Sequence, residues 1–303
     1  MSETTARPPA AQLGIPHQTP PLAEGRAEAE QLTGTPATWE LKKNRGSTTV
    51  WEVTGPTGHW ALKIGRSADA AVVARETQVL RHIATVSPTS YGARSKSGRT
   101  PDSAWQLTPW LTGPSTWEAF RSVRDGTMDR SQALAAAVDL AAAVGALHQT
   151  GWVHGDVQPH HAIHAQGGVR LIGCSWAWHP NLPPSYASHS GLLHLMSPEL
   201  IHRVESEERP IAPTQPDETY ALAAGLWWAA TNAWPLDYTH LGIDPATFTA
   251  KGLRGVLVRR WPPLGRISTW PQLDEVLRSV LTARPSERPT ALNLAQWLRS
   301  LPS

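Results

Sequence analysis

The chain has 303 residues, enough for one bilobal domain or two ordinary ones with a sizeable core. With 40% hydrophobic and 17% charged residues it is not a disordered chain, and a net charge of +2 without runs of like charge excludes a nucleic-acid surface. Its single cysteine, Cys174, excludes a disulfide framework and a multi-cysteine zinc site.

Residues 1–36 are dense in Pro, Ala, Thr and Glu, lack periodicity and lack an apolar secretory core, so they predict a flexible tail. Strands are expected over 39–43, 49–54 and 59–64, with Gly-Pro-Thr-Gly (55–58) turning between the last two. Residues 68–85 predict an amphipathic helix through Val72, Val73, Val79, Leu80 and Ile83. Two further strands are expected over 89–94 and 104–111, joined by Lys-Ser-Gly at 96–98. After Gly113 the pattern turns helical. Leu134, Val138, Ala141, Val144 and Leu147 mark one face of a helix over 129–149. Short strands over 161–164 and 169–173 flank Gly167-Gly168. Helices are expected over 217–232 and 271–283, the latter through Leu273, Val276, Leu277, Val280 and Leu281. A last helix is capped by Thr290 and buries Leu294, Trp297, Leu298 and Leu301. Neither 133–147 nor 219–234 offers an unbroken apolar run of about 20 residues, so no membrane span is expected and the cytoplasm is the default. Trp227 and Trp228 adjoin and cannot share a helix face, so only one is expected to face the core.

Residues 154–161 read His-Gly-Asp-Val-Gln-Pro-His-His directly after the long helix. This resembles the catalytic loop of protein kinases, H-R-D-x-x-x-x-N. The company it keeps follows the same order. Trp60-Ala61-Leu62-Lys63 is similar to the strand whose lysine holds the α- and β-phosphates, and Lys63 is one of only five lysines. Glu76 resembles the helix glutamate that pairs with that lysine. Ser197-Pro198-Glu199 resembles the end of an activation segment, and Arg288 the distant arginine that pairs with its glutamate. Asp217 resembles the aspartate that starts the central helix and supports the catalytic loop. The resemblance implies an α+β, two-lobed protein-kinase-like fold: a β-rich small lobe over 37–112 and a larger helical lobe over 113–303. Enzymes that phosphorylate aminoglycosides also use His-Gly-Asp, but generally lack the later markers, so the protein-kinase branch is placed ahead.

Departures from the pattern lie around the phosphates. The glycine-rich loop is replaced by 41–50, Leu-Lys-Lys-Asn-Arg-Gly-Ser-Thr-Thr-Val, where Arg45 and the hydroxyls of Ser47 and Thr48 are candidate phosphate contacts and a plain strand turn is the equal alternative. Leu41, Val50, Ala61, Leu107 and Ile163 match the walls of an adenine slot, and Trp110, in Thr108-Pro109-Trp110, matches the usual hinge donor. The principal Mg²⁺ ligand is replaced by Gly173, in Leu-Ile-Gly-Cys-Ser (171–175), and the loop asparagine by His161. His160, His161, His164 and Cys174 would be the members of a zinc cluster, but surface and loop histidines are the favoured reading. Gly155 replaces the arginine that reads an activation-loop phosphate, and Ser185, Ser188 and Ser190 have no arginine nearby.

The resemblance implies ATP as ligand, with a divalent metal, Mg or Mn, doubtful at His161. The first reading is a pseudokinase that binds ATP, is catalytically impaired and acts by conformation or by docking a protein partner. The alternative is an active serine/threonine kinase acting on a protein substrate, with Asp156 as catalytic base. A third is a small-molecule or peptide phosphotransferase. Neither nucleic acid nor membrane is expected as a partner.

Overall fold

Five strands, β1 (Thr38–Arg45), β2 (Thr48–Gly55), β3 (Gly58–Arg66), β4 (Lys96–Arg99) and β5 (Ser103–Pro109), pair antiparallel in the order β1-β2-β3-β5-β4. The computed structural model describes residues 23–86, 91–127, 130–184, 192–206 and 209–302; the candidate hydroxyls of Ser185, Ser188 and Ser190 lie outside these residues. Side chains alternate between two faces of the sheet. Trp51, Val53, Leu62, Ile64, Trp105 and Leu107 form a buried cluster on the outer face. Val50, Ala61 and Lys63 share the inner face.

The outer face is covered by α1 (Ala23–Thr33), which corrects the expectation of a flexible tail over 1–36. The segment is rich in the helix formers Ala, Glu and Gln, and Arg26 pairs with Glu30 one turn on at 2.8 Å. Its apolar stripe is thin, which hides it from a periodicity search. Ala29 is nevertheless fully buried against the sheet, and Gly25 lies so close to the Trp105 indole that a Cβ would sit 3.2 Å from it. Residues 1–22 of the expected tail lie outside the described residues.

The inner face receives α2 (Ala68–Val86), through Ala70 and Val73 against Ala104. The fourth strand lies later than expected. Residues Tyr91–Arg94 form a single 3-10 turn, and Lys96-Ser97-Gly98, expected as a turn, belongs to β4. Gly98 explains the shift: it pairs with Trp105, and the indole lies 2.6 Å from where its Cβ would be. The strand sits there because its glycine lets the ring pass beneath it.

Past Gly113 the chain is helical, apart from the hairpin β6 (Ala162–Ala165) and β7 (Gly168–Leu171). The helices are α3 (Thr116–Ala119), α4 (Arg121–Arg124), α5 (Ser131–Gln149), α6 (Pro198–Glu205), α7 (Gln215–Thr231), α8 (Ala250–Arg259), α9 (Pro271–Thr282) and α10 (Ala291–Arg299). An antiparallel sheet followed by a helical region is a mixed α+β, kinase-like two-lobed architecture. By length and composition α5 could cross a membrane, but Leu134, Ala137, Ala141 and Val144 are buried in the helical core with Tyr220, Trp227, Trp270 and Leu294. In α10, Thr290 caps the Asn293 N–H as expected. Trp297 is a correction: it is 42% exposed, because Ala291, Leu294, Ala295 and Leu298 already define the inward face. Trp227 is buried, whereas Trp228 is half-buried in an aromatic row with Trp117, His160 and Trp234.

Candidate functional site

On β3, alternation sends Lys63 to the inner face, where α2 presents Glu76. The two form a salt bridge, and Ser175 Oγ donates to the same carboxylate at 2.8 Å. Burial pushes the Glu76 pKa up, but the adjacent ammonium and the hydroxyl outweigh it and hold it below the usual carboxylate range. Ser175 belongs to the segment after β7, so it ties α2 to the helical half. Arg75 makes a second tie, donating to the carbonyls of Ala177 at 3.0 Å and Leu182 at 3.1 Å. Sequence reading singled out neither residue, since a serine and a helix arginine carry no signal of their own.

The loop after α5 is fixed by its backbone. Val153 and Trp178 exchange both backbone hydrogen bonds, at 3.0 and 2.9 Å. The N–H groups of His154 and Gly155 donate to the Glu218 carboxylate at 3.0 and 2.6 Å, and His148 Nε2 lies 2.8 Å from it. Burial pushes the Glu218 pKa up, but these contacts prevail and lower it. Glu218, rather than the expected Asp217, therefore carries the loop. The sequence did hold the signal, because Glu-Thr-Tyr-Ala-Leu (218–222) fits the motif one register later. Asp217 instead pairs with Arg203 and accepts from Ser197 Oγ at 2.6 Å and from the Thr214 N–H at 2.7 Å. At the far end of this assembly, Arg288 grips Glu199 through both of its terminal nitrogens.

Burial pulls the His154 pKa below the usual imidazole range; its Nε2 donates to the Ile172 carbonyl at 3.1 Å and its Nδ1 accepts from the Asp156 N–H at 3.3 Å. Asp156 accepts from Gln158 Nε2 at 3.2 Å, and burial pushes its pKa up to about 7.

His161 Nδ1 lies 3.0 Å from the Asp156 carbonyl and 3.3 Å from its Oδ2. Burial pulls the His161 pKa down to about 3, so the ring is neutral. Gly173 has φ +77°, and a Cβ there would lie 2.8 Å from the ring. The imidazole thus fills the space a side chain at 173 would take, and the two departures from the kinase pattern form one packed unit. A divalent cation bridging phosphates wants hard oxygen ligands. The pair at 161 and 173 offers none, and among the described residues no three His, Cys, Asp or Glu side chains converge on one point. The site does not fit such an ion. His160 stacks on Trp117, His164 meets Thr116 Oγ1 at 2.8 Å, and Cys174 is buried with its thiol on the Leu171 carbonyl.

The remaining expected contacts fall unevenly. Val50 and Ala61 lie on the Lys63 face, and Ile163, on β6, bridges to Ser115 at the start of α3. Leu41 does not line the cleft; it packs with Trp39 against the outer-face cluster, as does Leu107. The Trp110 N–H is taken by the His59 carbonyl at 3.0 Å, which continues the β3–β5 ladder one residue past Pro109. It is no free hinge donor. The Ser47 N–H and the Thr48 hydroxyl both donate to Asp69 in the first turn of α2, at 3.0 and 3.1 Å, so the hairpin tip is tied down by a carboxylate. A concavity of about 420 Å³ lies beside α2 between Arg81, His82 and Arg99, and Asp156 does not line it.

Residues 40–151 match the phosphotransferase enzyme family, APH. The matched stretch runs from β1 to the end of α5 and fits the kinase-like superfamily; it stops just short of the loop that carries Asp156. No curated protein matches the chain.

Proposed function

We propose that this kinase-like chain binds a nucleotide between its sheet and the Asp156 loop, transfers phosphate poorly or not at all, and acts by presenting the occupied fold to a protein partner. One observation carries the reading: the His161 ring occupies the place of the side chain that Gly173 lacks. Phosphoryl transfer depends on neutralising the charge that develops on the moving group, so losing oxygen ligands costs many powers of ten in rate. The intact Lys63–Glu76–Ser175 group supports retained binding of phosphates.

A second reading is favoured by Asp156 and by the family match. A carboxyl with a pKa of about 7 suits a general base, and the matched family is one of phosphotransferases. Purified protein with radiolabelled ATP and Mg²⁺ or Mn²⁺ separates the two. The first reading expects thermal stabilisation by ATP and no label on the chain or on added acceptors. Transfer by the wild-type protein that vanishes in Asp156→Asn would establish the second and remove the first.

A further inference from the structure

The β1–β2 hairpin stands where a glycine-rich phosphate loop is expected, but it carries cations. Strand alternation from Trp39 and Leu41 would send Lys43 to the outer face with them. The irregularity between Leu41 and Lys43 reverses this: Lys43 pairs with Val50, which in turn pairs with Lys63, and Arg45 pairs with Thr48 two residues along. Cross-strand partners share a face, so Lys43, Arg45 and Lys63 are all directed to the inner side of the sheet. A bulge that re-aims one side chain beside a candidate site is a familiar structural device.

Among the described residues, Lys63 has Glu76 as its partner, while neither Lys43 nor Arg45 forms a salt bridge. Lys43 is exposed overall, yet desolvation of its ammonium by the cleft, then repulsion from Lys63 and Arg45, pull its pKa down; Asp156 and Glu76 act on it in the opposite sense. It is thus a cation held among other cations, within electrostatic reach of Asp156 and without a salt bridge of its own. The space at Gly173, where the resemblance puts the principal metal ligand, is filled by the neutral His161 ring.

We infer that Lys43 and Lys63, backed by Arg45, hold the phosphates of a nucleoside polyphosphate directly, supplying the positive charge that a divalent cation supplies elsewhere. This rests on the reading that the cleft takes a nucleotide. An ammonium meets phosphate as a mobile point charge and needs no octahedral geometry, which suits a site where positions 161 and 173 offer no oxygen ligand.

Calorimetric titration of the full chain with ATP, ADP and adenosine, in EDTA and in excess Mg²⁺, tests it. ATP is expected to bind in EDTA, tighter than ADP, with affinity falling as Mg²⁺ masks the phosphates and as salt rises. Lys43→Ala is expected to weaken ATP at least tenfold and leave adenosine unchanged. Lys43→Arg should recover most of the loss, and Lys96→Ala, which removes the same charge from β4, should have no effect. Circular dichroism melts of each variant separate lost contact from lost fold. ATP binding that requires Mg²⁺, or that ignores Lys43→Ala in a folded protein, overturns the lysine clamp alone. Failure of ATP to bind under every condition overturns the nucleotide reading, and the clamp with it.

Discussion

Asp156 shows how one residue's surroundings set its chemistry. Its carboxyl titrates near 7 because ionisation there is penalised by burial, with Gln158 and the nearby lysines only partly compensating. The unfolded chain has a carboxyl near 3.9, so the folded state holds the extra proton between about 4 and 7. The stabilising contribution is full below the unfolded value and is lost as pH rises through 7. Asp156→Asn is therefore expected to be more stable than wild type at pH 8, by up to about 4 kcal/mol, and to converge with it near pH 4. Denaturant titrations at the two pH values check this. Gly173 and His161 make the second test. Placing Asp at 173 forces a left-handed backbone on a substituted residue and drives its Cβ into the ring, so Gly173→Asp alone is expected to cost about 2–4 kcal/mol. Adding His161→Ala removes the collision and should return about half of that, a non-additivity that equilibrium unfolding of the double variant reads directly. The sequence displayed both substitutions, but their complementarity arises in space and no spacing rule encodes it.

Elements position these groups, and here too part of the design was legible. The order of strands, helix and loop could be read because alternation, helical period and turn residues agree from Trp39 to Leu301. Boundaries failed where close packing decided them, as at β4, where a glycine admits Trp105. The central helix was found, but its functional carboxylate was read one residue early, since Asp217 and Glu218 are equally plausible on paper. Only the fold shows that Glu218 turns towards the loop and Asp217 towards Arg203. Glu218→Gln keeps the size of the side chain and replaces one acceptor oxygen by a donor that faces an N–H. A loss of about 3 kcal/mol is expected. Amide exchange should show it locally, with the His154 and Gly155 protons losing protection before those of α7.

For the whole molecule, the chief surprise is the cover on the sheet. The composition of 1–36 resembles a linker, yet its last third is a helix that closes an apolar face made by Trp51, Leu62, Ile64 and Trp105. Short Ala-rich helices are marginal alone and draw their stability from such docking, which explains why local pattern failed to announce α1. Ala29→Asp would bury a charge at a fully enclosed position; it is expected to cost about 3 kcal/mol or more and to expose the sheet, read as a lowered melting temperature with raised binding of a hydrophobic dye. The straps from α2 to the far half have a different consequence. Arg75 spans to two carbonyls and Glu76 receives Ser175, so rocking of the sheet half against the helical half breaks several polar contacts together. A scaffold fastened in this way behaves less like a toggle than like a fixed stage, its contours set by the fold before any signal arrives.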